Sequence, residues 1–325
     1  VAGRAIGATV ALPELLKRGY DKVMVTGVIQ GGSSLGILIP PSVVLVLYAM
    51  MARQPVLQLW LAGVFPGLLM AAIFVLYIVI RCRLQPKLGP ALPPEEREQI
   101  SLAEKIKLLR AGLLPFLVFG IMMGLFLTGV TSLVESSVVG ALLAVLAALF
   151  SGRLDRRVLE ESTRNTLSVS CMFLWIILGA LCFSAVYDGL GAIRAIENLL
   201  LHTWDLSPWT VLSLMLLSFI ILGMFLDDTA MLVIVAPLYI PLVRALGFDL
   251  IWFGILYTIT CQIAYINPPF GYNLFLMRAM APPEITIVDI YRSIIPFFAL
   301  MVLTLIIIMM FPQIALWLPN LYTGR

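Results

Sequence analysis

Asp227 and Asp228 stand side by side inside the apolar stretch 208–243. A charged side chain at the centre of a membrane helix costs at least about 2.5–3.5 kcal/mol on insertion scales, so an intramembrane carboxylate faces a cavity or a partner. Two carboxylates there can hold a cation or act as a coupling group. The plain structural alternative is a helix cap, with Asp228 closing the arm that starts at Thr229. A second set is neutral. Thr260, Gln262, Asn267 and Asn273 surround the run Pro268-Pro269-Phe270-Gly271. Carboxamide oxygens and unwound main-chain carbonyls are ligands for Na⁺, and the same groups can instead cross-link helices. A third set is Gln30, Ser33 and Ser34, interleaved with Gly31, Gly32 and Gly36, which permit close approach of the backbone. No motif for nucleophilic, metalloprotease or nucleotide chemistry is present, so no catalytic residue is assigned. A single His202 and four scattered cysteines exclude a multi-histidine or thiolate metal site, and nothing points to nucleic acid.

The elements that position these groups are interrupted membrane helices. Proline removes a backbone donor, clashes with the preceding turn and pushes the residue before it out of the α region. Pro268-Pro269 therefore divide the span 250–281, and Pro40-Pro41 divide 22–52 in the same way. Broken backbone at membrane depth is tolerated only where it lines a cavity or is covered by protein. The two regions match further. Pro13 and Pro241 each lie 28 residues before the second proline of a pair, and Gly19-Tyr20-Asp21 corresponds to Gly247-Phe248-Asp249. A shift of 228 residues superposes these marks, which defines an internal repeat.

The chain has 325 residues, 61% hydrophobic and only 12% charged, about half the charge of a soluble domain. Helical spans are expected at 57–81, 111–130, 137–151, 165–187 and 287–318. An amphipathic surface helix is expected at 190–205 and a re-entrant hairpin at 208–243 with its tip at 227–229. The arms of that hairpin read as too short or too interrupted for independent spans. Residues 31–36 read as the unwound link of the first break. Lys17, Arg18 and Lys22, the polar segment 83–110 and the arginine-rich 152–164 all fall on one side, the cytoplasmic side by the positive-inside rule. The two broken spans then cross in opposite directions. The expected organisation is residues 1–82 as the later part of a first inverted repeat, 83–110 as a cytoplasmic linker and 111–325 as the second repeat. The first repeat is expected to extend upstream of Val1. The fold class is an all-α integral membrane protein with inverted repeats, re-entrant hairpins and two broken transmembrane helices, which is the plan of secondary transporters.

Four motifs in order, L-P-E-L-L-K-R-G-Y-D-K (12–22), G-G-S-S-L-G-I-L-I-P-P-S (31–42), G-M-F-L-D-D-T-A (223–230) and I-N-P-P-F-G-Y-N-L-F (266–275), resemble the large membrane subunit of TRAP transporters, the DctM-like permeases. The resemblance implies an elevator transporter of the ion transporter superfamily in the bacterial inner membrane. It implies a small four-helix membrane subunit (DctQ-like) and a periplasmic solute-binding protein as partners. It also implies coupling to Na⁺, with no other cofactor, and an organic-acid substrate such as a C4-dicarboxylate. Carried over by position, Na⁺ ligands are expected at Ser33, Ser34 and Gly36 and at Asp227, Thr229, Asn267 and Gly271. A single-component Na⁺/carboxylate symporter of the same superfamily is the alternative.

Overall fold

The computed structural model describes residues 6–90, 102–199, 204–267, 272–282 and 284–324, and every element among them is helical. The chain forms two compact units, Val1–Ala91 with Ile176–Arg325, and Leu92–Trp175.

The first unit opens with a π-helical turn, Gly7–Ala11, that runs into α1 (Leu12–Lys17). Then come α2 (Lys22–Ser34) and α3 (Val43–Ala52), separated by a 3₁₀ turn at Leu35–Ile37. Next is α4 (Val56–Leu84), which at about 1.5 Å per residue is long enough to cross a bilayer with tilt. In the second unit, α5 (Leu102–Leu127) joins the mixed-charge stretch and the following apolar stretch into one helix through Pro115. The neighbouring α6 (Leu133–Phe150) starts with a capping box between Ser132 and Glu135. The two are held close at Gly140, where a Cβ would fall 2.9 Å from the Met122 sulfur. Helix α7 (Arg156–Gly189) begins within the arginine-rich segment and continues into the first unit. There follow α8 (Ala192–Glu197), α9 (Pro208–Leu222), α10 (Asp228–Ala245), α11 (Leu250–Ile266), α12 (Tyr272–Met280), α13 (Ile287–Met310) and α14 (Gln313–Thr323). Among the described residues α4, α6, α7, α10 and α13 are long and apolar enough to span a membrane. Their outward faces carry large apolar side chains, for example Leu76, Trp175 and Ile295, as lipid contact requires. The protein is an all-α multi-pass membrane protein.

The two broken helices start alike. Gly19 and Gly247 adopt φ of +77° and +78°, the left-handed conformation that ends the preceding helix at little steric cost to glycine. Two residues later an aspartate caps the next helix. Asp21 Oδ1 accepts from the Met24 amide at 2.8 Å, and Asp249 Oδ1 accepts from the Ile251 and Trp252 amides at 2.7 and 2.9 Å. These positions are related by the 228-residue shift.

Four boundaries differ from the sequence expectation. Gly31–Ser34 are not unwound; they form the last turn of α2. Their amides still reach carbonyls four residues back, and the helix fails only at Leu35–Pro41. There Pro40 lacks a donor and its ring opposes the carbonyl of residue 36. The hairpin's second arm is α10, 18 residues long, and so has the length of a span. It continues through Pro237 and Pro241, since a proline can kink a helix without ending it. The cap of that arm is Asp227, one residue earlier than expected. The final apolar stretch is two helices, divided at Phe311-Pro312.

Candidate ion and substrate site

Three chain interruptions approach one another in the first unit: the first break, the hairpin tip at 223–227 and the C-terminal end of α11. Glycines permit the approach. A Cβ on Gly223 at the hairpin tip would lie 2.5 Å from the Ala264 Cβ. A Cβ on Gly63 of α4 would lie 2.5 Å from the carbonyl oxygen of Leu38 in the first break. Since neither neighbour can yield readily, a side chain at 63 would push α4 off the first break and one at 223 would push the hairpin tip off α11.

Hydrogen bonds then connect the parts. Gln262 Nε2 donates to the Ser34 carbonyl at 2.9 Å, so the last turn of α2 is closed by a side chain from the other repeat. Residues 34 and 262 are themselves repeat mates, and this contact therefore lies where the two broken helices cross. Tyr257 donates from its hydroxyl to the Asp228 carbonyl at 2.6 Å, tying α11 to the first turn of α10. Tyr48 of α3 donates to the Leu250 carbonyl at 2.8 Å. Trp60 Nε1 donates to the Ser42 carbonyl at 3.2 Å. Ser42 caps α3, accepting from the Leu45 amide at 3.2 Å, while its hydroxyl donates to the Ile37 carbonyl across the break. Phe219, Tyr48, Phe253 and Tyr257 fill the space beside these bonds, with the Phe219 and Tyr257 rings edge to face at 4.9 Å. Unwound backbone inside a membrane protein is covered in this way or not tolerated.

The candidate residues fall into distinct settings. Ser33 is half-buried and Ser34 is 1% exposed. Their hydroxyls donate to the Gln30 and Gly31 carbonyls at 3.1 and 2.6 Å, which leaves the lone pairs of both oxygens for a ligand. Gly36 is exposed, with open space where a Cβ would be. Asp227 is exposed and caps α10 through Ala230 N at 2.7 Å, while Asp228 and Thr229 are half-buried in the first helical turn. The capping alternative therefore accounts for one oxygen of Asp227, and the second remains open to solvent or a ligand. Asn267 ends α11 in extended conformation (φ −79°, ψ 122°), with its amide donating to the Ala264 carbonyl at 3.2 Å, as a residue before proline should. Pro268, Pro269 and Gly271 lie outside the described residues; the Asn273 main chain lies in α12. Among the described residues no cluster of three or more His, Cys, Asp or Glu could hold a metal ion. The available oxygens near the breaks are mostly neutral, a donor set suited to a hard monovalent cation.

The sequence undervalues two buried groups. Gln30 and Gln262 are both 0% exposed. Neither end of the Gln30 carboxamide, nor Gln262 Oε1, has a hydrogen-bond partner. Unpaired buried polar groups cost about 1–3 kcal/mol each, so their presence between the breaks marks a region not optimised for stability. The signal available in the sequence was a glutamine on each broken helix within an otherwise apolar stretch. Tyr257 carried no such signal, because its hydroxyl acts only through the fold.

Comparison with known proteins places this architecture. A sequence model of the tripartite ATP-independent periplasmic transporter DctM component matches residues 1–314. The C4-dicarboxylate TRAP transporter large permease protein DctM of Pseudomonas aeruginosa is 33% identical over 323 residues, covering 97% of this chain and 72% of that protein. The sialic acid TRAP transporter permease protein SiaT of Haemophilus influenzae is 30% identical over 311 residues, covering 93% of this chain and 48% of that protein. The ectoine TRAP transporter large permease protein TeaC of Halomonas elongata is 28% identical over 320 residues, 95% of this chain and 70% of that protein. These relatives are transport proteins, not enzymes. With one helix interrupted around Pro40-Pro41 and another ending at Asn267 beside it, the chain belongs to the DctM family, the large permease component of tripartite ATP-independent periplasmic transporters of the inner membrane.

Proposed function

We propose that this permease carries out Na⁺-coupled secondary uptake of an organic acid delivered by a periplasmic binding protein, together with a small four-helix membrane subunit. The observation that supports the reading is the Gln262–Ser34 contact, which joins the end of α2, at the first break, to α11 five residues before Asn267. Neutral oxygens suit Na⁺. The half-helices α3 and α12 begin next to the breaks, so their positive dipole ends would face an anionic group of the substrate. Relatives bear the names of C4-dicarboxylate, sialic acid and ectoine transporters, and a carboxylate is the group common to those compounds. The sodium ligands in this reading are Ser33, Ser34, Asp227, Thr229 and Asn267, with Gly36, Asp228, Gly271 and Asn273 beside them. Movement is of the elevator kind, with the hairpin and both broken helices shifting as one body. The driving force is the sodium gradient and the membrane potential, about 2.3 kcal/mol per charge per 100 mV.

The test is uptake of labelled C4-dicarboxylate, sialic acid or ectoine into proteoliposomes. These would hold the full-length permease and its small subunit, with and without the cognate binding protein, under an inward Na⁺ gradient. Uptake that needs both the binding protein and Na⁺, and that fails in Asn267→Ala, is the expected result. Uptake that ignores Na⁺ would remove the sodium assignment. Uptake without any binding protein would favour a single-component symporter.

A further inference from the structure

A cavity of about 620 Å³ opens in the first unit between the ends of α3, α7 and α10, apart from the residues assigned above to ions. Two guanidiniums line it, Arg53 and Arg244. No acidic residue does, and among the described residues neither arginine is ion-paired with a carboxylate. Their positions are set by the backbone. Arg53 ends α3 in the left-handed conformation, φ +54°, which a side-chain-bearing residue adopts at a steric cost. Arg244 Nη2 donates to the Ala52 carbonyl at 3.3 Å, so the C-terminal ends of α3 and α10 bring the two cations to one rim. The rest of the wall is apolar, including Met50, Met51, Leu181 and Ile240.

Two unpaired cations on an apolar wall call for an anion, and guanidinium forks match carboxylate and phosphate oxygens. An inorganic anion would satisfy the charges and leave the apolar wall wet. An anion bearing a hydrocarbon chain satisfies both, and methionine side chains adapt to a chain of variable shape. The volume is that of a small-molecule site. We propose that this cavity binds the head group and adjoining chain of an amphiphilic anion, with phosphate or carboxylate between Arg53 and Arg244. The site stands independently of which solute the permease transports.

The test uses the full-length permease with its small subunit in phosphatidylcholine nanodiscs and follows thermal unfolding. One arm adds phosphatidylglycerol to the bilayer; the other adds octanoate to the buffer, with octanol as the neutral control. A ligand that binds only the folded state raises the midpoint in a saturable way. The expected result is a saturable, anion-specific rise in at least one arm that is at least halved in Arg53→Gln/Arg244→Gln and kept in Arg53→Lys/Arg244→Lys. Leu181→Trp, which fills the cavity from an exposed position and keeps both charges, should abolish the rise even if the glutamine variant folds poorly. A rise with phosphatidylglycerol assigns the site to a lipid, and a rise with octanoate assigns it to a free carboxylate. No rise in either arm, or a rise unchanged in Leu181→Trp, would overturn the proposal.

Discussion

Gly31 and Gly32 are adjacent and look equivalent in the sequence, yet the structure assigns them opposite responses to one added methyl group. Both lie in the last turns of α2. A Cβ at position 31 would sit 2.4 Å from Cδ1 of Phe297 and 3.0 Å from its Cγ. Phe297 is 2% exposed and boxed in, edge to face, by Phe74 at 5.2 Å and Tyr77 at 5.6 Å, so the ring has nowhere to go. At position 32 a Cβ would meet nothing within 4 Å. Gly→Ala in a helix gains up to about 1 kcal/mol from propensity, and that gain applies to both. The difference between the variants therefore isolates the overpacking cost, about 1–3 kcal/mol. At about 2–4 °C per kcal/mol for a large domain, Gly31→Ala should unfold several degrees below Gly32→Ala, which itself should match or exceed the parent. The measurement is thermal unfolding of the permease with its small subunit in nanodiscs. Adding Phe297→Leu to Gly31→Ala should recover most of the loss, because the two positions share one contact. Equal midpoints for the two alanine variants, or no recovery in the double variant, would refute the packing argument.

Gln262→Leu deletes the bond to the Ser34 carbonyl and at the same time removes the unpartnered Oε1. The two terms oppose, so stability should change by less than about 1 kcal/mol, while hydrogen exchange at residues 33–39 should accelerate; a large loss of stability with unchanged exchange would contradict this. Asp227→Ala should cost about 0.5–2 kcal/mol through the lost cap and Asp227→Ser much less. If Asp227→Ser unfolds like the parent yet loses uptake, the carboxylate acts in transport beyond its structural part; retained uptake limits it to capping. Tyr257→Phe deletes the hydrogen bond to the Asp228 carbonyl and should cost about 0.5–1.5 kcal/mol, read as a lower unfolding midpoint.

Much of the organisation was readable from residues 13–41 and 241–273 alone. Proline lacks an amide hydrogen wherever it occurs, so Pro40-Pro41 marked an interruption between two short helices. Asp21 and Asp249 cap their own neighbours and follow a glycine suited to a left-handed turn, a signal contained within three residues. The same locality explains the extended Asn267 before Pro268. Reading failed where a local rule has two solutions. Gly-Gly-Ser-Ser at 31–34 suits either a loop or a closely packed helix end, and contact with α13 at Phe297 selects the helix. Either aspartate at 227–228 could cap, and the register of α10 selects the first. Pro237 and Pro241 could end a helix or bend one, and α10 continues through both.

By itself the sequence determined that this is a helical membrane protein with a span interrupted at Pro40-Pro41 and a helix that ends before Pro268, because hydropathy, donor loss at proline and side-chain caps act within a few residues. Only the tertiary structure decided which glycines are contacts, that Gln262 closes the end of α2, and that Arg53 and Arg244 share a cavity. Those facts join residues as far as 266 positions apart, and the chain alone places no constraint on which distant atoms come within reach once apolar faces are buried.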